Sequence, residues 1–269
     1  MGGAGCRAAP VVLAVAVVCS ACVASPPEPS GPPGRSTPSL ASTSPTSTTP
    51  AAILPSRSVV PPAPAPTVSA SSSAPAPPGS ARAALAALPI KGRAPRTGYT
   101  RAQFGQAWSD TDRNGCDTRN DILRRDLTDV VLKPGTRGCV VLSGSLVDPY
   151  TGETVMFSRG VGSSRDVQID HVVALSDAWQ KGAQQLSAAR REQFANDALE
   201  LLAVDGAVNA AKGDSDAASW LPPLRGSRCA FVARQIAVKR AYALWVTVAE
   251  RDAMVRVLGS CPAQPLPSR

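Results

Sequence analysis

The sequence predicts an α+β fold for residues 82–262, a length that suits one domain with its own hydrophobic core. Strand-like segments are few and lie in the middle of this range, and helix signals recur around them. Helices and strands that do not alternate regularly, in a chain without internal repeats, are typical of the α+β class rather than of parallel βαβ folds.

Capping patterns predict two helices in the first part of the domain. Thr100 followed by Gln103 matches a capping box and predicts a short helix through Trp108. Ser187 is a favourable N-cap for a second helix, which we expect to reach Asn196.

The C-terminal part of the domain predicts further helical structure. Apolar residues follow one helical face from Phe231 to Val248 and indicate a third helix. Thr247 and Glu250 repeat the capping-box pattern, and Gly259 is predicted to end the last helix in a left-handed conformation.

The strand-like segments are short and rich in β-branched residues. Residues 139–142 and 154–157 flank the turn-forming sequence of residues 148–152 and therefore predict a β-hairpin. Residues 167–173 and 199–204 are the other two predicted strands.

The first 25 residues have the layout of a secretory signal peptide, with Arg7 as the only charge before a short apolar run. The run is shorter than the roughly 20 residues that a membrane span needs. Cys22 follows two small residues, as in a bacterial lipoprotein signal, although Cys19 stands where that signal favours a branched aliphatic residue. Lipid attachment at Cys22 is therefore an alternative to plain secretion.

Residues 26–81 are rich in Pro, Ser, Thr and Ala and cannot bury a core, so they predict a disordered, extended tether. Its function is that of a spacer, and a dispensable linker is the alternative. Residues 263–269 are predicted to form a flexible tail. Together these segments predict a protein that is secreted or anchored at the outer face of a bacterial cell membrane.

The net charge of +8 argues only weakly for a polyanionic partner, because acidic and basic residues are mixed in the domain. Basic residues cluster in the sequence at Arg119, Arg124 and Arg125 and at Arg234, Lys239 and Arg240. Phosphate-binding surfaces and evenly solvated surfaces explain these clusters equally well.

The domain contains four cysteines, an even number that predicts two disulfides in an exported protein. Three pairings are open. We favour Cys116–Cys139 and Cys229–Cys261, because each closes a local loop and stabilises the fold by roughly 3–4 kcal/mol. A zinc site is a poor alternative, since the domain has no Cys-x-x-Cys pair and a single histidine.

His171 is the only histidine of the chain, and Asp170 directly precedes it. The ordinary pKa of a histidine lies near neutrality, so the side chain can take a proton from water. A carboxylate beside it can hold a divalent metal. The alternative is a packed or surface ring without a chemical role.

The order of polar residues in this region resembles the HNH endonuclease motif: Asp170-His171, then Asn196, a second strand, and Asn209. More closely, the domain is similar to secreted proteins related to the C-terminal domain of GmrSD-type restriction endonucleases. The segments that carry this resemblance are residues 114–120, 148–152, 170–171 and 220–223. The resemblance implies a ββα-metal core, also called a His-Me finger, with surrounding helices, a β-hairpin and activity on DNA.

The resemblance also implies a role for each residue. His171 is the general base, Asp170 and Asn209 hold one divalent metal, Mg²⁺ or Mn²⁺, and Asn196 steadies the motif. Lys212 is a candidate for binding a substrate phosphate. Asn209 as a turn residue and Lys212 as a solvated lysine are the alternatives. Because side chains alternate along a strand, Asp170 and His171 serve one site only if the strand ends or bulges there.

Arg119 is a second candidate substrate-binding residue, since a guanidinium can hold a phosphate with two hydrogen bonds. An internal ion pair with Asp117 is the alternative.

An acidic loop before Arg119 matches a calcium-binding pattern, with Asp in place of the usual terminal Glu. Its candidate calcium ligands are Asp110, Asp112, Asn114 and Asp121.

The sequence therefore predicts an exported, monomeric, metal-dependent HNH endonuclease that cleaves DNA, with RNA as a second candidate substrate. The alternatives are a non-enzymatic cell-surface lipoprotein and a calcium-stabilised binding module, each built on an inactive HNH scaffold.

Overall fold

A computed structural model describes residues 76–268. The predicted signal peptide with Cys22, and the predicted tether up to residue 75, lie outside the described residues. Within residues 76–268, no helix is both long enough and apolar enough to cross a membrane.

The described part of the chain is a mixed α and β structure, as predicted. Its helices are α1 (Ala81–Ala86), α2 (Thr118–Asp126), α3 (Leu175–Gln180), α4 (Ala188–Ala195), α5 (Gly206–Lys212), α6 (Arg228–Ala241) and α7 (Val248–Leu258). Its strands are β1 (Thr128–Leu132), β2 (Val141–Val147), β3 (Thr154–Ser158), β4 (Val167–His171) and β5 (Leu201–Asp205). They form an antiparallel sheet in the order β1-β2-β3 and an antiparallel pair, β4-β5.

The predicted hairpin is confirmed as β2 and β3, and its turn is tied to the second sheet. Asp148 is fully buried, and its Oδ2 accepts bonds from the amide and hydroxyl of Thr151 at 2.9 and 2.7 Å. Its Oδ1 accepts the amide of Asp205 at 3.0 Å. One buried carboxylate thus fixes the hairpin turn against the end of β5.

Helix α2 and strand β1 are absent from the sequence predictions. Asp117 caps α2 by accepting the amide of Asn120 at 2.9 Å. Strand β1 is largely exposed and contains Asp129 in a left-handed conformation, φ 51°. Its five residues, Thr-Asp-Val-Val-Leu, do not alternate between apolar and polar. The usual strand pattern is therefore missing from its sequence.

Helix predictions are partly confirmed. Ser187 caps α4 and Thr247 with Glu250 forms a capping box on α7, as expected. The predicted helix after Thr100 is only a 3-10 turn, Arg101–Phe104, and Thr100 makes no side-chain cap. The remaining residues to Trp108 are not helical.

Two predicted helix ends are wrong. Helix α6 ends at Ala241 rather than near Val248, because Ala243 adopts a left-handed conformation with φ 52°. Gly259 is right-handed, with φ −60°, and its amide still bonds Val255 O at 2.9 Å, so it continues the helical turn.

Both predicted disulfides are confirmed: Cys116–Cys139 and Cys229–Cys261. The second links α6 to the segment after α7. The predicted flexible tail is packed through Leu266, which contacts two hydrophobic clusters of the core. The amide of Ala81 also donates to Gln264 O at 2.8 Å, which attaches this segment to α1.

Candidate active site

Strands β4 and β5 and helix α5 form a ββα unit at the position of the predicted site, and α3 and α4 lie between the two strands in the chain. The strands pair antiparallel, with Asp170 opposite Leu202 and His171 opposite Leu201. Asp205 ends β5 and caps α5 by accepting the amide of Val208 at 2.8 Å. Helix α5 therefore starts directly at the end of the second strand.

Gly206 makes this abrupt start sterically feasible. A Cβ atom at Gly206 would lie 2.0 Å from the carbonyl oxygen of Arg165. A larger residue would push α5 away from the segment before β4, so the close approach requires glycine.

Asp170 is buried, 4% exposed, and both of its carboxylate oxygens accept bonds. Lys212 Nζ lies 2.8 Å from Oδ1, and the hydroxyl of Tyr150 donates to Oδ2 at 2.6 Å. Burial raises the pKa of Asp170, and the ammonium of Lys212 opposes that shift.

His171 is the last residue of β4, two residues before the predicted end of this strand at residue 173, and this end meets the condition for Asp170 and His171 to serve one site. Its Nε2 lies 3.0 Å from the carbonyl oxygen of Ala195. Because a carbonyl only accepts, Nε2 carries the hydrogen and Nδ1 keeps the lone pair. Burial lowers the pKa of His171 to about 3, so the ring is neutral at pH 7.

Two adjoining cavities meet at His171. The first, about 180 Å³, is predominantly polar, and Asp170, Asn209 and Asp214 line it. The second, about 240 Å³, is predominantly apolar, and Phe104, Gln106 and Trp108 are among the residues that line it. His171 and Arg101 line both cavities, which places the predicted base and an exposed cation at their junction.

Asn209 lies on α5 and lines the polar cavity together with Asp170 and His171, so the structure brings these three predicted residues together. Its Nδ2 donates to Gln168 Oε1 at 2.8 Å. The turn-residue alternative is wrong, because Asn209 is inside a helix.

The polar cavity fits a hard divalent cation by the type of its donors. Each oxygen of Asp170 accepts one bond and has a further lone pair, and Asn209 supplies an amide oxygen. Residues 76–268 contain no group of three or more His, Cys, Asp or Glu that could hold a metal. A cation held by Asp170 and Asn209 would therefore leave coordination positions to water and substrate, and would share Asp170 with Lys212.

Lys212 is fully buried, so the solvated-lysine alternative is wrong. Besides Asp170, its ammonium contacts His171 O at 2.9 Å. Its side chain has no exposed surface that could contact a substrate phosphate.

Arg119 is half-buried next to the start of β4. Its guanidinium donates to the carbonyls of Ser164 and Val167 at 3.5 and 3.4 Å and lies 5.9 Å from the ring centre of Trp108. These bonds are long for N–H donors, and burial lowers the pKa of Arg119.

Asn196 lies at the C-terminal end of α4, next to Ala195, whose carbonyl holds His171. Its Nδ2 donates to Glu192 O at 3.0 Å and Gln106 O at 3.3 Å. Asn196 therefore connects α4 to the loop before Trp108, and its effect on His171 is indirect.

Glu200 is a buried residue of the site that sequence reasoning missed. Both of its carboxyl oxygens lie within 3.2 Å of the amide of Val173, two residues after His171. Burial raises the pKa of Glu200 well above its ordinary value. The available signal was a single acid inside the otherwise apolar predicted strand of residues 199–204; in the structure Glu200 directly precedes β5.

The acidic loop predicted to bind calcium uses its carboxylates on the backbone. Asp110 accepts the amides of Asn114 and Gly115 at 3.1 and 2.9 Å, and Asp112 accepts the amide of Asn114 at 3.2 Å. With Asp121, these residues are not a group of three or more carboxylates placed to hold a metal, since residues 76–268 contain none. Backbone amides take the place that the prediction gave to a cation.

Comparison with known proteins identifies the family. The sequence model of the family described as GmrSD restriction endonucleases, C-terminal domain, matches residues 117–257. The chain belongs to this family. The match begins at the cap of α2 and covers Asp170, His171 and Asn209, whereas Arg101 and Trp108 precede it.

A fungal protein extends the similarity beyond the domain of the GmrSD family. An uncharacterized secreted protein of Arthroderma benhamiae is 40% identical over 176 residues, which are 65% of this chain and 81% of that protein. No solved structure matches the chain.

Proposed function

We propose that the protein is an exported, metal-dependent endonuclease of the HNH type that hydrolyses phosphodiester bonds in DNA. The observation that carries this proposal is the ββα unit of β4, β5 and α5, which gathers Asp170, His171 and Asn209 around one cavity. Membership of a restriction endonuclease family supports nuclease activity on DNA, and the secreted fungal relative supports export. Lipid attachment at Cys22 is the alternative to plain secretion.

His171 acts as the general base through Nδ1. The neutral ring takes one proton from a water molecule while the oxygen of that water bonds to phosphorus and the ester oxygen leaves. Nε2 keeps its hydrogen and donates it to the carbonyl of Ala195, which fixes the ring and stabilises the imidazolium that forms. Asn196 supports this arrangement by holding the end of α4.

Asp170 and Asn209 are the residues that would hold the divalent metal, Mg²⁺ or Mn²⁺. When bound, such a cation neutralises charge on the phosphate and the leaving oxygen. Tyr150 and Lys212 fix the orientation of the Asp170 carboxylate through its two oxygens. We therefore assign Lys212 to positioning Asp170 rather than to direct phosphate contact.

Two arginines are the candidates for the substrate phosphates. Arg101 is exposed at the junction of the two cavities, next to the proposed base. Arg119 makes only long bonds to carbonyls, so a phosphate could replace them with shorter, charge-assisted bonds.

The test is plasmid nicking by the purified protein with Mg²⁺ or Mn²⁺. His171→Ala is expected to reduce nicking by about 10²–10⁴-fold, the usual contribution of a general base. A chelator should abolish the activity, and added metal should restore it. Asp129→Asn, at an exposed acid of β1, is the matched control and should retain full activity.

Persistence of nicking in His171→Ala would show that the mechanism is wrong. Absence of nicking by the wild-type protein with every divalent metal would favour a non-enzymatic binding protein on the same scaffold.

A further inference from the structure

We propose that the apolar cavity beside His171 binds a nucleobase of the substrate strand, next to the phosphate that is cleaved. This inference rests on the proposed function, because it names what the same site binds. It concerns the cavity of about 240 Å³ formed by the loop between the Arg101–Phe104 turn and Trp108.

The size and lining of the cavity suit a ligand with one or two aromatic rings. Trp108 contributes aromatic surface, the buried ring of Phe104 lies in its wall, and Gln106 contributes an exposed amide with a donor and an acceptor. Its volume is below the roughly 300–1,000 Å³ of sites for drug-sized ligands. Aromatic surfaces stack on bases of any sequence, and an amide can bond a base edge.

Trp108 lies close to His171, the proposed general base. Its ring centre lies 6.3 Å from that of His171, and the two ring planes differ by 23°. Trp108 has a left-handed backbone, φ 61°, a conformation that costs a non-glycine residue free energy and is frequent at functional sites. The guanidinium of Arg119 lies over the same ring system at 5.9 Å.

The relation between the two cavities identifies the ligand class. One cavity is polar and contains the candidate metal ligands, the other is apolar and aromatic, and His171 and Arg101 line both. A nucleotide has the same division: a charged phosphate that is joined through a sugar to a flat, mainly apolar base. A phosphate at the junction near Arg101 would therefore place one adjoining base in the apolar cavity.

Occupation of this cavity requires a base that has left the duplex stack. Unstacking costs least in single strands, loops and mismatches. We therefore expect faster cleavage of single-stranded than of fully paired DNA.

The experiment uses single-stranded oligonucleotides with one natural phosphodiester in a phosphorothioate backbone, so that one bond is cleaved. An abasic residue replaces the nucleotide on either its 5′ or its 3′ side. The wild-type protein is expected to lose roughly 5- to 150-fold in kcat/KM on one of the two abasic substrates, the range for loss of one base–aromatic stack. Equal cleavage of both abasic substrates and the intact substrate would overturn the proposal.

Protein variants connect this loss to Trp108. Trp108→Ala should lose a similar factor on the intact substrate and little more on the sensitive abasic substrate, whereas Trp108→Phe should retain most activity. Met156→Ala, at an exposed apolar residue of β3, is the control and should behave as wild type on all substrates. If Trp108→Ala lowers kcat/KM on the sensitive abasic substrate by the same factor as on the intact one, Trp108 does not contact the missing base. Should Trp108→Ala fail to fold, the wild-type comparison decides alone.

Binding separates this proposal from the proposed function. Fluorescence anisotropy with His171→Ala measures affinity for the same oligonucleotides without turnover. Weaker binding of the sensitive abasic strand supports the nucleobase site even if the wild-type protein cleaves nothing, which would refute only the nuclease. Equal affinity for all strands, or no binding to any, overturns the nucleobase site.

Discussion

The structure buries charged side chains in two regions that differ in how completely the charges are paired. In the first, which we term the ion network, Lys181 and Lys239 are fully buried and contact the carboxylates of Asp177, Asp216 and Glu250. Arg93 adds a third cation at its edge. The second is the pair of Lys212 and Asp170 behind the polar cavity.

The two regions differ in how many partners each charge has and in whether a cavity adjoins the charges. The ion network balances three cations against three carboxylates and joins α3, α6, α7 and the segments after α1 and after α5 into one body. Asp170 has one cationic partner and one hydroxyl partner, and its carboxylate lines a cavity. A fully paired network serves the scaffold, whereas a carboxylate with free lone pairs beside a cavity can serve a ligand.

Arg93 lies in the segment that follows α1 and precedes the Arg101–Phe104 turn. This position matters, because the same short segment leads directly into the loop that lines the apolar cavity. The network therefore anchors one end of that loop.

The largest effect on stability is expected in the ion network. Lys181→Met removes an ammonium that contacts three carboxylates, and a buried pair that loses one partner typically costs about 3–5 kcal/mol. Urea denaturation would measure the free energy of unfolding. A loss below about 1 kcal/mol would show that the network is not a stabilising unit.

Asp170→Asn should separate stability from activity. The amide can still bond Lys212 and Tyr150, so we expect about 1–3 kcal/mol of destabilisation from the uncompensated ammonium. Nicking should fall by at least about 100-fold, as expected for loss of a charge-stabilising group.

The double variant Asp170→Asn with Lys212→Met is the sharper comparison. It removes both buried charges and should recover most of the stability without recovering activity. Recovery of nicking in the double variant would contradict a direct role for the Asp170 carboxylate.

The free energy of unfolding should depend on pH through the protonation of His171. Its folded pKa of about 3 lies below the ordinary 6.5, so the unfolded chain binds more protons between these values. The stability linked to neutral His171 is therefore complete above pH 6.5 and is lost as the pH falls toward 3. Glu200 and Asp170 have raised pKa values and act in the opposite direction.

A comparison with His171→Gln cancels these other groups. Relative to the variant, the wild-type protein should become less stable between pH 7 and pH 4, as measured by thermal unfolding. A difference that does not change over this range would contradict a neutral, buried ring.

The smallest effect is expected at an exposed pair. Arg251 and Asp252 are about half exposed and lie 2.7 Å apart, so Arg251→Ala should change the free energy of unfolding by less than about 1 kcal/mol. If Arg251→Ala lowered the free energy of unfolding as much as Lys181→Met, exposed ion pairs and the ion network would contribute equally to stability.

Sequence reasoning predicted the features that depend on neighbouring residues. The β2–β3 hairpin follows from its turn residues, and the α7 capping box follows from Thr247 and Glu250. Each disulfide joins cysteines within 32 residues of one another, which local loop closure favours.

Features that depend on distant partners were not predictable from the sequence patterns. Lys212 resembles a solvated lysine until the fold places Asp170 and Tyr150 beside it. Arg101 and Trp108 lie in a short irregular segment, and only tertiary packing brings them to His171. The end of α6 at a left-handed alanine has no signal in the usual glycine and proline patterns.

One consequence of the sequence concerns spectroscopy. Because the chain has a single histidine, every imidazole signal in an NMR spectrum of the tag-free protein comes from His171. The chemical shifts of its two ring nitrogens would report the tautomer directly, and their changes on adding metal or oligonucleotide would report events at the site. The protein thus contains a unique resonance at the position where its proposed chemistry takes place.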